Sequence, residues 1–231
     1  LAEELAALGA AAIEPDSGGV HFEGDKALLY RANLNLRTAT RVLLTLKRFS
    51  AAHREMLYDQ VRRIRWEEHL SPSMTFSVDC KIAALRETAH VETKGKSGRG
   101  MALTNSHYVA LKIKDSIVDQ IRHFKGTRPN IDTKDPDVRI HAYLHGPKCT
   151  LSLDASGSSL HERGYRTKDT GAPLKEALAA AIVDLTGWDP ATPFIDPMCG
   201  SGTLCIEAAM KAMHVPPGWR RQKFGFMKWR D

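Results

Sequence analysis

The 231 residues suit one large domain or two small ones, and a formal net charge of +6 favours a polyanionic partner. The four cysteines, Cys80, Cys149, Cys199 and Cys205, form no C-x-x-C and have no histidine at zinc-ligand spacing, which argues against a disulfide framework or a metal site. No apolar run is long enough to span a bilayer, and the opening LAEELAALGA carries acids where a secretory signal would be basic, so a cytoplasmic chain with reduced thiols is expected.

Residues 1–8 read as a helix with Leu1, Leu5 and Leu8 on one stripe and Gly9 as its stop. A hairpin follows, AAIEP and VHFEG about Asp16-Ser17-Gly18-Gly19. Residues 25–35 return as a helix and 41–49 (RVLLTLKRF) as a strand. A further helix begins near His53 and runs to Ile64. Residues 74–80 (MTFSVDC) alternate as a strand does, with Met74, Phe76 and Val78 on one face. Residues 83–100 end in ETKGKSGRG, which is either a solvated loop or a basic loop that meets RNA phosphates through Lys94, Lys96 and Arg99. Residues 105–124 form the longest helix, with Ala110, Ile113, Ile117, Ile121 and Phe124 as its buried face. Lys112 lies off that stripe. Arg122, Lys125 and Arg128 gather at the helix end, where cations suit either the helix dipole or RNA. Pro129 and Pro136 bracket a turn, and 138–144 then pair with 149–153 across His145-Gly146-Pro147-Lys148. This alternation suggests two small α+β units.

After a flexible turn at 156–159, Arg163, Tyr165 and Arg166 make a cation–aromatic–cation cluster able to clamp phosphate and stack on a base. A helix over 172–185 is expected, with Pro173 as its first residue, Leu174, Leu178, Ala181, Ile182 and Leu185 as its core stripe, and Gly187 beyond its end. Residues 192–213 then read as strand, sharp turn and helix. Phe194 and Ile195 end the strand, Asp196 and Pro197 leave it, and Gly200 and Gly202 permit positive φ. The helix carries Leu204, Ile206, Ala208, Ala209, Met210 and Met213. Ligands of doubly wound sheets sit at such a corner, and an acid at the strand end suits an amine or a ribose. The spacing is not the dinucleotide fingerprint, and a lone G-x-G is equally a plain turn. In the last stretch Trp219, Phe224, Phe226 and Trp229 interleave with Arg220, Arg221, Lys223, Lys228 and Arg230, as an RNA groove or as aromatics that pack on a further domain. One strand and one helix cannot bury both faces of a parallel sheet, so the chain reads as a piece of a longer one.

Taken together, D-P-M-C-G-S-G-T-L-x-I-E-A-A (196–209) resembles the first motif of S-adenosylmethionine-dependent methyltransferases, within them the branch that methylates the exocyclic amine of guanine in RNA. L-H-E-R-G-Y-R (160–166) and A-P-L-K-E (172–176) resemble the segment before that motif. N-S-H-Y-V-A-L-K-I-K-D-S-I-V-D (105–119), R-P-N-I-D (128–132) and D-P-D-V-R-I (135–140) resemble the end of a THUMP domain, an RNA-docking module. The 83–100 segment is extra to that pattern. The family implied is the THUMP-containing large-subunit rRNA guanine-N2 methyltransferases. It implies an α+β ferredoxin-like/THUMP N-terminal region followed by the start of an α/β Rossmann-like methyltransferase domain. Expected boundaries are 1–50 (ferredoxin-like), 51–155 (THUMP, with a start as early as 30 left open) and 156–231 (methyltransferase).

The resemblance further implies methyl transfer from S-adenosylmethionine to guanine N2 in 23S rRNA, without metal or membrane. Alternatives are the same chemistry on tRNA, an RNA-binding fragment without activity, or a DNA adenine methyltransferase, which leaves the RNA-docking half unexplained. Cofactor contacts would fall to Leu174, Asp196, Pro197, Cys199, Gly200, Ser201, Gly202, Thr203 and Glu207, with Cys199 near the methionine moiety and no covalent role. RNA contacts would fall to Lys112, Arg122, Lys125, Arg128, Arg163, Tyr165 and Arg166. In the family an N-P-P-Y-like loop accepts hydrogen bonds from the target amine; no N-P-P occurs here, so no catalytic residue is assigned.

Overall fold

Three helices begin at a residue whose side chain accepts a hydrogen bond from the first turn, the local device that starts a helix without tertiary help. They are Asp25 (from Leu28 N–H, 2.7 Å), His53 (from Met56 N–H, 3.3 Å) and Asn105 (from Tyr108 N–H, 3.0 Å). The protein is seen in a computed structural model that describes residues 1–16, 18–83, 103–166 and 173–230. The basic stretch expected to meet RNA through Lys94, Lys96 and Arg99 lies outside the described residues. The chain forms two units, Leu1–Val42 with Ser158–Phe224, and Leu43–Gly157 with Gly225–Asp231.

In the first unit α1 (Ala2–Ala7) is followed by the antiparallel hairpin β1 (Ala11–Asp16) and β2 (Gly19–Glu23), then by α2 (Lys26–Asn35). Gly9 takes φ +83°, the left-handed stop expected after α1. The later elements of this unit are α5 (Glu176–Leu185) and α6 (Thr203–Ala212), which pack on one another. Two expectations fail here. The helix does not begin at 172–173, because Lys175 is extended (φ −64°, ψ 135°) and serves as the N-cap of α5. Nor is its core stripe the one with large residues. The buried face is Glu176, Ala177, Ala179, Ala180 and Val183, while Leu178 and Leu185 are 52% and 87% exposed. Small side chains let two helix backbones approach, and that face is the one turned inward. The expected strand at Phe194 and Ile195 forms no ladder among the described residues, and Ile195 is exposed. A strand exists only by pairing, and no described residue pairs with 194–195.

The second unit is a five-stranded mixed sheet in the order β3-β7-β6-β4-β5. Its strands are β3 (Leu43–Ser50), β4 (Thr75–Ile82), β5 (Asn130–Ile131), β6 (Val138–His145) and β7 (Lys148–Asp154). The β6–β7 hairpin turns at Gly146-Pro147, with His145 opposite Lys148. β3 pairs antiparallel with β7 from Leu43↔Asp154 to Ser50↔Lys148, so it stands in this sheet. α3 (Arg54–Arg62) and α4 (Ser106–Lys125) complete the unit. α4 buries Ile113, Ile117 and Ile121 as expected, and with them Val109, Ser116 and Gln120, while Ala110, expected on this face, is only half-buried. Gln120 accepts from Trp66 N–H at 3.0 Å and donates to the carbonyls of Arg62 and Ile64, which satisfies a buried amide. Phe124, expected on this face, is 64% exposed, because the helix closes one step later at Gly126 (φ +72°) and leaves its last turn beyond the core.

Residues 225–230 belong to this second unit. Phe226 N–H donates to Ala155 O at 3.1 Å, Lys228 pairs with Asp135 and Asp137, and Arg230 donates to Glu67 O at 2.9 Å. Trp229 packs against the core that holds Trp66, Phe76, Ile113, Ile117 and Ile140. Gly225 is required there: a Cβ would sit 2.3 Å from Asp154 O. Trp229 is thus half-buried against that core, while Trp219 is 58% exposed.

Candidate cofactor-binding site

The glycine turn is built by its own backbone. Asp196 Oδ1 accepts from Met198 N–H at 3.0 Å, closing a local turn of the kind aspartate favours. Gly200 (φ +54°) and Gly202 (φ +76°) are both left-handed, a conformation in which any other residue is strained. Gly202 N–H donates to Cys199 O at 2.7 Å, and Gly202 is the N-cap of α6 without a side-chain cap. The amides of the first turn of α6 therefore stand at the positive end of the helix with no capping side chain, an arrangement that accepts electron-rich groups. Pro197, Cys199 and Gly200 are exposed, Ser201 and Asp196 half-buried, and Thr203 buried. The Ser201 and Thr203 hydroxyls lie 3.1 Å apart.

Behind the turn lies a buried cluster of charge. Glu207, on α6 one turn after Thr203, pairs with Arg163, and the two side chains are 0% and 1% exposed. Tyr165 donates its hydroxyl to the other carboxylate oxygen of Glu207 at 2.9 Å. Arg163 also donates to Arg37 O, and Arg37 in turn donates to Met210 O (3.2 Å) and Val215 O (2.7 Å) at the end of α6. Glu4 accepts from Arg37 N–H at 2.8 Å and from the Thr38 hydroxyl. Arg166 donates to Leu174 O (2.9 Å) and Thr203 Oγ1 (3.3 Å) and pairs with Glu176 (3.3 Å). Lys211 on α6 pairs with Asp184 on α5 at 2.7 Å. Burial pushes the Glu207 carboxyl above its ordinary value, against the pull of Arg163 and the Tyr165 hydroxyl. Burial, with the Glu207 charge beside it, also raises the Tyr165 phenol.

The structure thus brings Leu174, Ser201, Thr203 and Glu207 together with Arg163, Tyr165 and Arg166. The last three are the residues expected to meet RNA. Their polar groups face the carboxylates, hydroxyl and carbonyls of this unit, and Arg163 is too deeply buried to clamp a phosphate. Glu207 is likewise buried, with its carboxylate turned to Arg163 and Tyr165. Of the other cations, Arg122 and Lys125 are exposed on the last turn of α4 and Arg128 is exposed just beyond it. Lys112 is half-buried ten residues earlier on α4, about 15 Å away at the helical rise. None of these four forms an ion pair with another described residue. Arg37, Glu4 and Glu176 went unread in the sequence. Glu176 stands in the quoted A-P-L-K-E string, but no spacing signals Arg37 or Glu4. Among the described residues no three His, Cys, Asp or Glu side chains gather as a metal site. Burial pushes the thiols of Cys80 and Cys149 up to about 11 and about 12, which leaves them inert in the second unit.

Three family models match the chain: an RlmL ferredoxin-like domain over residues 1–43, a THUMP domain over 51–154, and an RMKL-like methyltransferase domain over 163–230. A putative RNA methyltransferase of Synechocystis is 40% identical over 230 residues, all of this chain and 56% of that protein. The ribosomal RNA large subunit methyltransferase K/L of Magnetococcus marinus is 43% identical over 234 residues, all of this chain and 30% of that protein. A solved putative methyltransferase complexed with SAH is 33% identical with a TM-score of 0.80, over 98% of this chain and 55% of its own. The chain therefore spans about half the length of two of these relatives and less than a third of the other.

Proposed function

Because residues 1–43, 51–154 and 163–230 belong to the RlmL ferredoxin-like, THUMP and RMKL-like methyltransferase domain families, we propose that the whole protein is an S-adenosylmethionine-dependent RNA methyltransferase. Its substrate is a guanine of 23S rRNA, methylated on N2 in the cytoplasm. The observation that carries the reading is the turn at Asp196–Gly202. It combines two left-handed glycines, exposed neighbours and an uncapped helix start, within the segment that matches a methyltransferase domain. The names of the K/L and Synechocystis relatives support RNA as the substrate.

The residues present fit such a cofactor. Gly200 and Gly202 let the backbone approach the ligand, and the Asp196 carboxylate supplies an acceptor for hydroxyl or amine groups. Pro197, Cys199, Ser201, Thr203 and Leu174 would line the seat, while Glu207 holds α6 from behind. When bound, the cofactor supplies a sulfonium methyl group already activated for transfer to a nucleophilic amine. The task left to the chain is to hold the reactants in line. Arg122, Lys125 and Arg128 form an exposed cationic end on the THUMP unit that suits RNA phosphates.

Incubation of the whole protein with methyl-labelled S-adenosylmethionine and separated 23S rRNA, tRNA and DNA tests this. Label is expected in 23S rRNA, as N2-methylguanine after digestion. Label confined to tRNA or to DNA would overturn the substrate, and failure to bind the cofactor at all would overturn the activity.

A further inference from the structure

The contacts of Arg166 converge on one place. Its guanidinium joins the start of α5, through Glu176 at 3.3 Å and Leu174 O at 2.9 Å, to the first residue of α6, through Thr203 Oγ1 at 3.3 Å. The Thr203 hydroxyl is in turn 3.1 Å from that of Ser201, which sits between the two left-handed glycines. A single planar cation is thereby connected, in two steps, to the interior of the cofactor turn.

Two features make that connection consequential. Gly202, the N-cap of α6, offers no side chain to orient the first turn, and no ladder among the described residues holds 192–200. Glycines in this conformation are the most permissive backbone a turn can have. Without an outside hold, the turn samples many shapes, and each must be given up when a ligand binds. Glu176, 3% exposed, orients the guanidinium from the far side; its Oε2 has no hydrogen-bond partner among the described residues, which leaves Arg166 as its ion-pair partner there.

We propose that Arg166 is a positioning residue for the methyl donor: without touching it, Arg166 presets the Thr203 and Ser201 hydroxyls and the amides beside them. This rests on the cofactor reading above. The planar fork of arginine makes three contacts at once, which the single ammonium point of lysine cannot reproduce.

The test is calorimetric titration of the whole protein with S-adenosylhomocysteine, with melting temperature recorded alongside. R166K and T203V are each expected to weaken binding about tenfold. The double variant R166K/T203V should be no weaker than either alone, since both break one connection. T203S, which keeps the hydroxyl, should restore most of the affinity that T203V loses. Additive losses in the double variant would overturn the proposal. So would a T203V affinity equal to wild type, or a lower melting temperature in R166K with unchanged affinity. A wild-type protein that binds no S-adenosylhomocysteine would instead remove the cofactor reading and this proposal with it, a result distinguishable from all the others.

Discussion

Arg163 and Glu207 are 44 residues apart in the chain, and both are removed from water in the folded protein. Burying two charges is costly unless each meets the other with good geometry and further hydrogen bonds, which Tyr165 and Arg37 O provide. Breaking one side should therefore hurt more than replacing both. R163M is expected to lose about 3–5 kcal/mol in urea unfolding, and R163M/E207L to recover most of that loss. A different logic applies to Asp137. It accepts from Thr75 N–H at 2.8 Å and from the Thr75 hydroxyl at 3.0 Å, and these bonds hold its carboxyl below the ordinary value, with Lys228 adding to the effect. A carboxyl lowered on folding stabilises above its unfolded pKa, about 3.9, and that contribution is lost as pH falls through the lower folded value. D137N should consequently be less stable than wild type at neutral pH and converge with it in acid. Chemical denaturation at a series of pH values measures this; parallel curves would refute it.

At the scale of elements, α4 is legible from its sequence because period and cap agree: Asn105 starts it, Gly126 ends it, and isoleucines at 113, 117 and 121 face the sheet. I117A should cost about 2–5 kcal/mol, since its side chain is wholly buried. The last turn extends past the core, which exposes Phe124 and puts Arg122 and Lys125 in solvent. If those two cations meet phosphates, R122A/K125A should reduce the slope of log K against log salt for RNA binding by roughly 1.4–1.8. An unchanged slope would leave the helix dipole as their only role. α5 shows the opposite lesson. Its large apolar stripe and its alanine face share the same period, so periodicity alone could not choose between them. The close approach of α6 chose the alanines.

Across the whole molecule the chain passes between its two units three times, and residues 225–230 return to the sheet that residues 43–157 began. W229A is expected to destabilise that sheet unit by roughly 2–4 kcal/mol, read as faster amide exchange in β4, β6 and β7. Unchanged exchange would show that Trp229 merely rests on the core. Signals written within a few residues were enough, from sequence alone, to give the caps at Asp25, His53 and Asn105 their helices, the 138–153 hairpin its turn, and the 196–209 string its glycine corner. The caps and the hairpin turn are satisfied by groups within one or two turns of chain. Tertiary structure alone decided which cations are closed off: Arg163 and Arg166 by carboxylates on α6 and α5, and Arg37 by carbonyls up to 178 residues away. It alone placed β3 beside β7. A charge or a strand edge is completed by whatever partner folding brings to it, and no local pattern in the sequence names a partner so distant.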